Sequence, residues 1–127
     1  MTVTLKDFKD LEKKFLKERD GLKKQLCKEI KERLSPYFKI EESDYYNEID
    51  EFYFVFELYT KNWVKFDFSV EDSNHYTETD WSYRVHIYEL PNDEFAKKHK
   101  PIDDCCIWKS KNFEKTIEFL IGLSKEI

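Results

Sequence analysis

The chain has 127 residues, of which 40% are hydrophobic and 17% aromatic, and its net charge is −5. This length suits one domain over residues 1–127, and the aromatic content predicts a packed core, which excludes a disordered chain. No apolar run is long enough to span a bilayer and no apolar signal segment opens the sequence, so we expect a cytoplasmic protein outside the membrane. The cysteines Cys27, Cys105 and Cys106 form no disulfide framework, which fits a reducing compartment.

Residues 5–34 predict one long amphipathic helix. Apolar residues recur at spacings of mostly three or four from Leu5 to Leu34, and lysines occupy the other side. Pro36 ends this helix, because the residue before a proline is pushed out of the helical conformation. Gly21 leaves open a bend or a division into two helices.

Three segments with alternating apolar residues follow the helix. Residues 52–58, 64–70 and 81–87 each place four apolar side chains on one side of an extended chain. Such alternation is typical of an antiparallel sheet that is covered on one face. Residues 103–108 are compatible with either a short fourth strand or a loop.

The first hairpin has a register that the pattern itself restricts. Both apolar rows must lie on the same face, so the numbers of paired residues must have an even sum. A three-residue loop of Thr60, Lys61 and Asn62 meets this condition, and Asn62 tolerates the left-handed conformation that the last loop residue needs. The predicted pairs are Leu58 with Val64, Phe56 with Phe66, Phe54 with Phe68, and Phe52 with Val70.

Two helices are predicted in the last third of the chain. A short one over residues 94–98 takes Asn92 or Asp93 as its cap, and a longer one starts near Asn112. The element order predicts an α+β fold. We expect an antiparallel three- to four-stranded sheet with the long N-terminal helix and the C-terminal helix packed on one face.

Charge is unevenly distributed along the chain. Residues 1–40 carry a net charge of +5, residues 41–94 carry three basic and fifteen acidic residues, and residues 95–127 carry a net charge of +2. The strand region is therefore strongly acidic, which disfavours nucleic-acid binding through it, because phosphates are repelled.

Residues 41–94, here called the acidic segment, also contain several tyrosines. This combination predicts a docking surface for a basic protein. Aromatic side chains supply anchoring energy, and carboxylates steer a basic partner and pair with it. We therefore predict a small acidic protein-binding module of inhibitor or immunity type, whose partner is a basic protein such as a nucleic-acid-handling enzyme. The predicted partner-binding residues are Glu41, Glu42, Asp44, Tyr45, Tyr46, Glu48, Asp50, Glu51 and Tyr76.

Two other interpretations of the acidic segment stay open. Charged flanks beside a run of Phe and Tyr also act as gatekeepers against aggregation, so the carboxylates are equally consistent with a solubility role. An uncovered edge strand also allows a structural protein that forms a homodimer by sheet pairing.

An enzyme alternative comes from Asp50, Glu57, Lys61, Lys65 and Asp67, which lie on or beside adjoining strands after a helix. This layout resembles metal-dependent nucleases of the PD-(D/E)XK class, which place an acid and then an acid-x-Lys step on adjoining strands to hold Mg²⁺. The resemblance implies a divergent or degenerate nuclease domain. The spacing from Glu57 to Lys61 is too long for the acid-x-Lys step, and Lys65-x-Asp67 is reversed. In the predicted register Glu57 faces Lys65, so an ion pair across the strands explains why these two residues are present.

Other reactive residues do not form a recognisable site. Cys105, Cys106 and His99 match no zinc-binding spacing, so we expect inert thiols. His75 and His86 have carboxylates nearby, but no nucleophile motif accompanies them. We therefore expect no metal, no cofactor and no catalytic residue, and we lean toward a protein that is not an enzyme.

Overall fold

A computed structural model describes residues 4–42, 52–72, 81–102 and 104–127. The chain divides into two compact units, Met1–Arg33 and Leu34–Ile127. The prediction of one domain over residues 1–127 stays a prediction. The described elements, in chain order, are α1 (Leu5–Leu34), β1 (Lys39–Glu42), β2 (Phe52–Tyr59), β3 (Lys65–Asp72), β4 (Trp81–His86), α2 (Asp93–Lys98), β5 (Cys106–Ser110) and α3 (Phe113–Glu126).

Helix α1 begins with a reciprocal cap. The backbone N–H of Thr4 donates to Asp7 Oδ2 at 2.8 Å, and the Asp7 N–H donates back to Thr4 Oγ1 at 3.4 Å. The hydrogen bonds from the Thr4 backbone and hydroxyl lower the pKa of Asp7. The helix then runs without interruption through Gly21 and ends at Leu34, before Pro36, so the predicted single helix is confirmed.

The described sheet has five antiparallel strands in the order β1-β2-β3-β4-β5. The α+β class and the antiparallel pairing are confirmed, but the expected number of three to four strands is too low. Strand β1 was not predicted, because its four residues contain a single apolar side chain, Ile40. Residues 103–108, for which strand and loop were both open, contain the start of β5 at Cys106.

The β2–β3 hairpin keeps the predicted faces but is shifted by one residue along each strand. Leu58 pairs with Phe66 and Phe56 with Phe68, so the predicted register is wrong. The loop has three residues, as expected, but they are residues 61–63. Its last residue, Trp63, adopts the left-handed conformation with φ of 62°. Thr60 favours this register, because its N–H donates to Val64 O at 3.0 Å and its hydroxyl accepts from Val64 N at 3.1 Å.

The apolar face of the sheet forms the core with α2 and α3. Phe56, Phe66 and Phe68 are at most 1% exposed, and burial of each such ring contributes about 1.5–3 kcal/mol. Helix α3 packs on this face through ring contacts of Phe113 with Tyr83 and of Phe119 with Trp108. The predicted packing of the C-terminal helix on the sheet is therefore confirmed.

Both C-terminal helices begin where they were expected, and each is capped by an asparagine: Asn92, one of the two predicted caps, for α2 and Asn112 for α3. Asn92 accepts a hydrogen bond from Phe95 N at 2.8 Å, and Asn112 accepts one from Lys115 N at 3.0 Å. Each side chain satisfies one of the backbone donors that the first turn of a helix leaves without an intrahelical partner. These caps fix where α2 and α3 begin above the apolar face. In the part of the chain that the structure describes, no helix has the length and apolar character needed to cross a bilayer.

Candidate functional site

The predicted partner-binding residues fall into two groups, of which the smaller lies on described strands. Asp44, Tyr45, Tyr46, Glu48, Asp50, Glu51 and Tyr76 lie outside the described residues. Glu41 and Glu42 belong to the edge strand β1, and Glu41 is exposed opposite Glu57. The acidic segment therefore begins on the sheet itself, where Glu41 lies beside the Glu57 carboxylate of β2, whereas Glu42 is paired with Phe56.

A row of three carboxylates crosses the face of the sheet opposite the core, here called the polar face. Glu41 pairs with Glu57, Glu57 pairs with Asp67, and Asp67 pairs with His86. Directly opposed side chains on neighbouring strands lie about 4.5–5.5 Å apart at Cβ, where like charges repel. We call Glu41, Glu57 and Asp67 the acidic row.

One lysine compensates part of this negative charge. Lys65 Nζ lies 3.5 Å from Glu57 Oε1 and 3.8 Å from Asp67 Oδ1. Desolvation lowers the pKa of Lys65, but Asp67 and Glu57 together outweigh it and raise that pKa above its ordinary value. The ammonium therefore stays charged and bridges the two strands. Two carboxylates share this one cation, so the described cluster keeps a negative charge.

Asp67 is the most buried member of the acidic row. Its side chain is 15% exposed, and burial raises the pKa of its carboxyl above the ordinary value. No described hydrogen-bond donor reaches Asp67 Oδ1, and the hydroxyl of Ser69, two residues along β3, likewise has no hydrogen-bond partner among the described residues. Desolvated acceptors without donors destabilise a fold, so this part of the polar face is not arranged for stability alone.

Tyr59 and Trp63 extend the polar face toward the β2–β3 turn. The Tyr59 hydroxyl donates to Glu57 Oε2 at 3.0 Å, and this bond to the carboxylate raises the pKa of Tyr59. The Tyr59 ring meets the Trp63 ring edge-on, with centroids 6.1 Å apart. Lys39 Nζ lies 5.3 Å from the Trp63 ring centroid. An aromatic pair with a cation beside it therefore adjoins the acidic row.

The far end of the polar face carries His86 and Tyr88. Their rings stack with centroids 6.5 Å apart, and Tyr88 is 64% exposed. Arg84, two residues before His86 on β4, donates from Nε to Ser82 Oγ at 2.9 Å. His75, the other histidine considered from sequence, lies outside the described residues. These contacts are those of a polar surface.

His99, which is close to the cysteines in the sequence, contacts a glutamate of α3. His99 Nε2 lies 2.8 Å from Glu126 Oε2, and Cys106 is buried with its thiol donating to Trp108 O at 3.2 Å. Cys105 is partly exposed. Among the described residues, no group of three or more His, Cys, Asp or Glu side chains is arranged to hold a metal ion.

The nuclease-like layout gains no support from the described strands. Asp50, the first acid of that layout, lies outside the described residues. Glu57 faces Asp67 and not Lys65, so the predicted register at this position is wrong. The expected ion pair between Glu57 and Lys65 is nevertheless present at 3.5 Å, and the Lys65 ammonium also lies 3.8 Å from Asp67 Oδ1.

Sequence reasoning identified the acidic segment but did not include Trp63 and Lys39 among the predicted partner-binding residues. The position of Trp63 in the turn depends on the hairpin register, which is shifted by one residue along each strand from the predicted one. Lys39 lies on the strand that alternation did not reveal. The chain matches no protein-family model, and no curated protein or solved structure is significantly similar to it.

Proposed function

We propose that this chain is a small acidic protein-binding module, of inhibitor or immunity type, that docks an acidic and aromatic surface on a basic partner such as a nucleic-acid-handling enzyme. The observation that carries the proposal is the acidic row, in which Glu41, Glu57 and Asp67 lie side by side across three strands. Such a row loses stability through repulsion, and a basic surface placed against it relieves that repulsion.

The surroundings of the acidic row also suit an interface. Trp63 is 69% and Tyr88 is 64% exposed, and exposed aromatic rings are the side chains that most often anchor protein complexes. Residues 41–94 contain three basic and fifteen acidic residues, so a positively charged partner is attracted over distances up to about the 10 Å Debye length. Phosphate backbones are repelled by the same field, which favours a protein partner.

The proposal is tested by affinity capture from lysate of the native host at low and high salt. The bait is compared with a variant in which Glu41, Glu42, Glu48 and Glu51 are changed to lysine. We expect a basic protein to be held by the unchanged chain at low salt and released at high salt, and to be absent from the variant.

A second variant controls for the change in net charge. It carries lysine at Asp10, Glu18, Glu32 and Glu118, which are exposed and lie outside the acidic segment, so its net charge changes by the same amount. This control is expected to retain the partner. Equal capture by all three baits, or by none, contradicts a role of the acidic segment in binding and leaves solubility as its function.

A further inference from the structure

The β2–β3 turn places a bulky aromatic residue in a conformation that asparagine and glycine prefer. Trp63 N donates to Thr60 O at 3.0 Å, and Trp63 has a φ of 62°. Left-handed backbone is uncommon for residues other than glycine, and asparagine tolerates it better than tryptophan does. Asn62 is the preceding residue, so a register shifted by one would have put a tolerant side chain there. The observed turn is therefore strained at Trp63.

The strain at Trp63 is not balanced by burial of its ring. The side chain is 69% exposed, so most of its apolar surface stays in contact with water. Its observed neighbours are the edge-on ring of Tyr59 at 6.1 Å and the ammonium of Lys39 at 5.3 Å. Exposed ring contacts of this kind contribute little to folding. Strained residues that persist without such compensation concentrate at binding and catalytic sites.

The contacts around Trp63 indicate the chemistry of the group that it binds. A cation already lies beside the indole, which shows that the position suits positive charge. The Tyr59 hydroxyl that donates to Glu57 connects the aromatic pair to the acidic row. A planar guanidinium stacks on an aromatic face and forms a bidentate pair with a carboxylate. An ammonium is less suited to both contacts.

We propose that Trp63 is the anchor of the interface and that its exposed ring stacks on an arginine side chain of the basic partner. The same arginine pairs with a carboxylate of the acidic row, for which Glu57 and Glu41 are the nearest candidates by register. This inference rests on the proposed function for the basic character of the partner. It adds the residue that anchors the contact and the type of side chain that is recognised.

The test uses the variant Trp63→Asn, which removes the ring and relieves the strained backbone together. The probe is a fluorescently labelled peptide in which arginines alternate with glycines, with lysine and citrulline versions for comparison. Citrulline keeps the planar shape of arginine without its charge. We expect the unchanged chain to bind the arginine peptide more tightly than the lysine peptide, and the citrulline peptide not at all.

Trp63→Asn is expected to bind the arginine peptide about tenfold more weakly, as loss of a desolvated cation–π contact implies. The same variant is expected to melt about 4 °C higher, because the turn is no longer strained. The control Tyr37→Asn removes another exposed aromatic ring, outside the polar face, and should leave the affinity unchanged. A purely structural role of Trp63 predicts the opposite: a lower melting temperature with unchanged affinity.

The inference is overturned if Trp63→Asn binds the arginine peptide as well as the unchanged chain does, or if the citrulline peptide binds equally. The variant with lysine at Glu41, Glu42, Glu48 and Glu51 separates this inference from the proposed function. Binding lost in that variant but kept in Trp63→Asn overturns the anchor and leaves the acidic docking surface standing. Binding lost in Trp63→Asn but kept in the lysine variant supports the anchor and contradicts docking through the acidic segment.

Discussion

Asp67 has the least favourable surroundings of the charged residues on the polar face. It faces the carboxylate of Glu57 across the β2–β3 pair, and its Oδ1 accepts no hydrogen bond from the described residues. Its contact with Lys65 Nζ is long, at 3.8 Å. Burial and the repulsion from Glu57 therefore act against the ionised carboxylate, and Lys65, His86 and a hydrogen bond with Tyr88 offset only part of this effect.

The variant Asp67→Asn is expected to stabilise the protein at pH 7 by about 0.5 kcal/mol, the usual effect of removing a like-charge pair across two strands. Burial raises the pKa of Asp67 in the folded state. The destabilising contribution is therefore absent below the unfolded pKa, grows as the pH rises between the unfolded and the folded pKa, and is complete above both. Urea unfolding at pH 7 and at about pH 3 measures this, with the gain disappearing at the lower pH.

Glu57→Gln serves as the comparison for Asp67→Asn. Glu57→Gln removes the same repulsion but also weakens the acceptor of the Tyr59 hydrogen bond. Its free energy of unfolding should therefore increase less than that of Asp67→Asn. A loss of stability in Asp67→Asn at pH 7 would show that the Lys65 contact outweighs the repulsion.

Helices α2 and α3 contact each other at their C-terminal ends. The His99 ring lies between Phe95 and Phe119, and its Nε2 contacts Glu126 at 2.8 Å. Lys98 also donates to Glu126. Desolvation raises the pKa of Glu126, but the hydrogen bonds from Lys98 and His99 outweigh it, so the net effect lowers that pKa. The end of α3 is thereby tied to the short helix that covers the core at Phe95.

Glu126→Gln is expected to lower the free energy of unfolding at pH 7 by about 0.5 kcal/mol, a small value because the carboxylate is partly exposed and screened by solvent. The folded pKa of Glu126 is depressed. Its contribution is therefore complete above the unfolded pKa and is lost as the pH falls through that value toward the folded pKa. Urea unfolding should show the difference at pH 7 and a smaller one near pH 3. Glu118→Gln, an exposed glutamate on the same helix, should have no effect at either pH.

The molecule as a whole separates its charges by region, with the acidic residues concentrated in 41–94. Like charges gathered in one region repel one another, and salt screens that repulsion beyond about 10 Å at 0.1 M ionic strength. The fold should therefore be more stable in salt, even without a partner.

We expect the melting temperature to rise by about 2–4 °C between 10 mM and 200 mM NaCl, because screening weakens the repulsion in the acidic segment. Thermal unfolding followed by circular dichroism measures this rise. The variant with lysine at Glu41, Glu42, Glu48 and Glu51 should show a smaller rise. An equal rise in both proteins would place the repulsion elsewhere in the chain.

Long periodic segments were predictable from the sequence, and short or turn-dependent features were not. The strand over 52–58 and the start of a helix near Asn112 were predicted from local signals, and both are confirmed. Strand β1 has too few apolar residues to show alternation. The hairpin register depended on whether Asn62 or Trp63 takes the left-handed position, and local preference favoured Asn62. The Thr60–Val64 pairing and the contacts of Trp63 with Tyr59 and Lys39 accompany the other choice.

The candidate site was predictable as a charged region but not as a geometry. Counting residues located the excess of carboxylates, but the pairing of Glu41 with Glu57 and of Glu57 with Asp67 needed both β1 and the correct register. A shift of one residue along each strand preserves which face a side chain lies on and changes its partner. For this reason the faces were predicted correctly, whereas the residue directly opposite Glu57 is Asp67 and the ion pair with Lys65 forms from a neighbouring position.

The strand order also has a consequence for how the chain acquires its structure. Described strands that follow one another along the chain are also adjacent in the sheet. The pairing of a described strand therefore does not depend on a strand that is distant in the sequence. The sheet can grow from β1 to β5 in the direction of synthesis, and α3, the last described element, then closes over the finished apolar face. Pairing between sequence neighbours keeps contact order low, which is associated with rapid folding. It also shortens the time for which the Phe-rich strands are exposed to other chains.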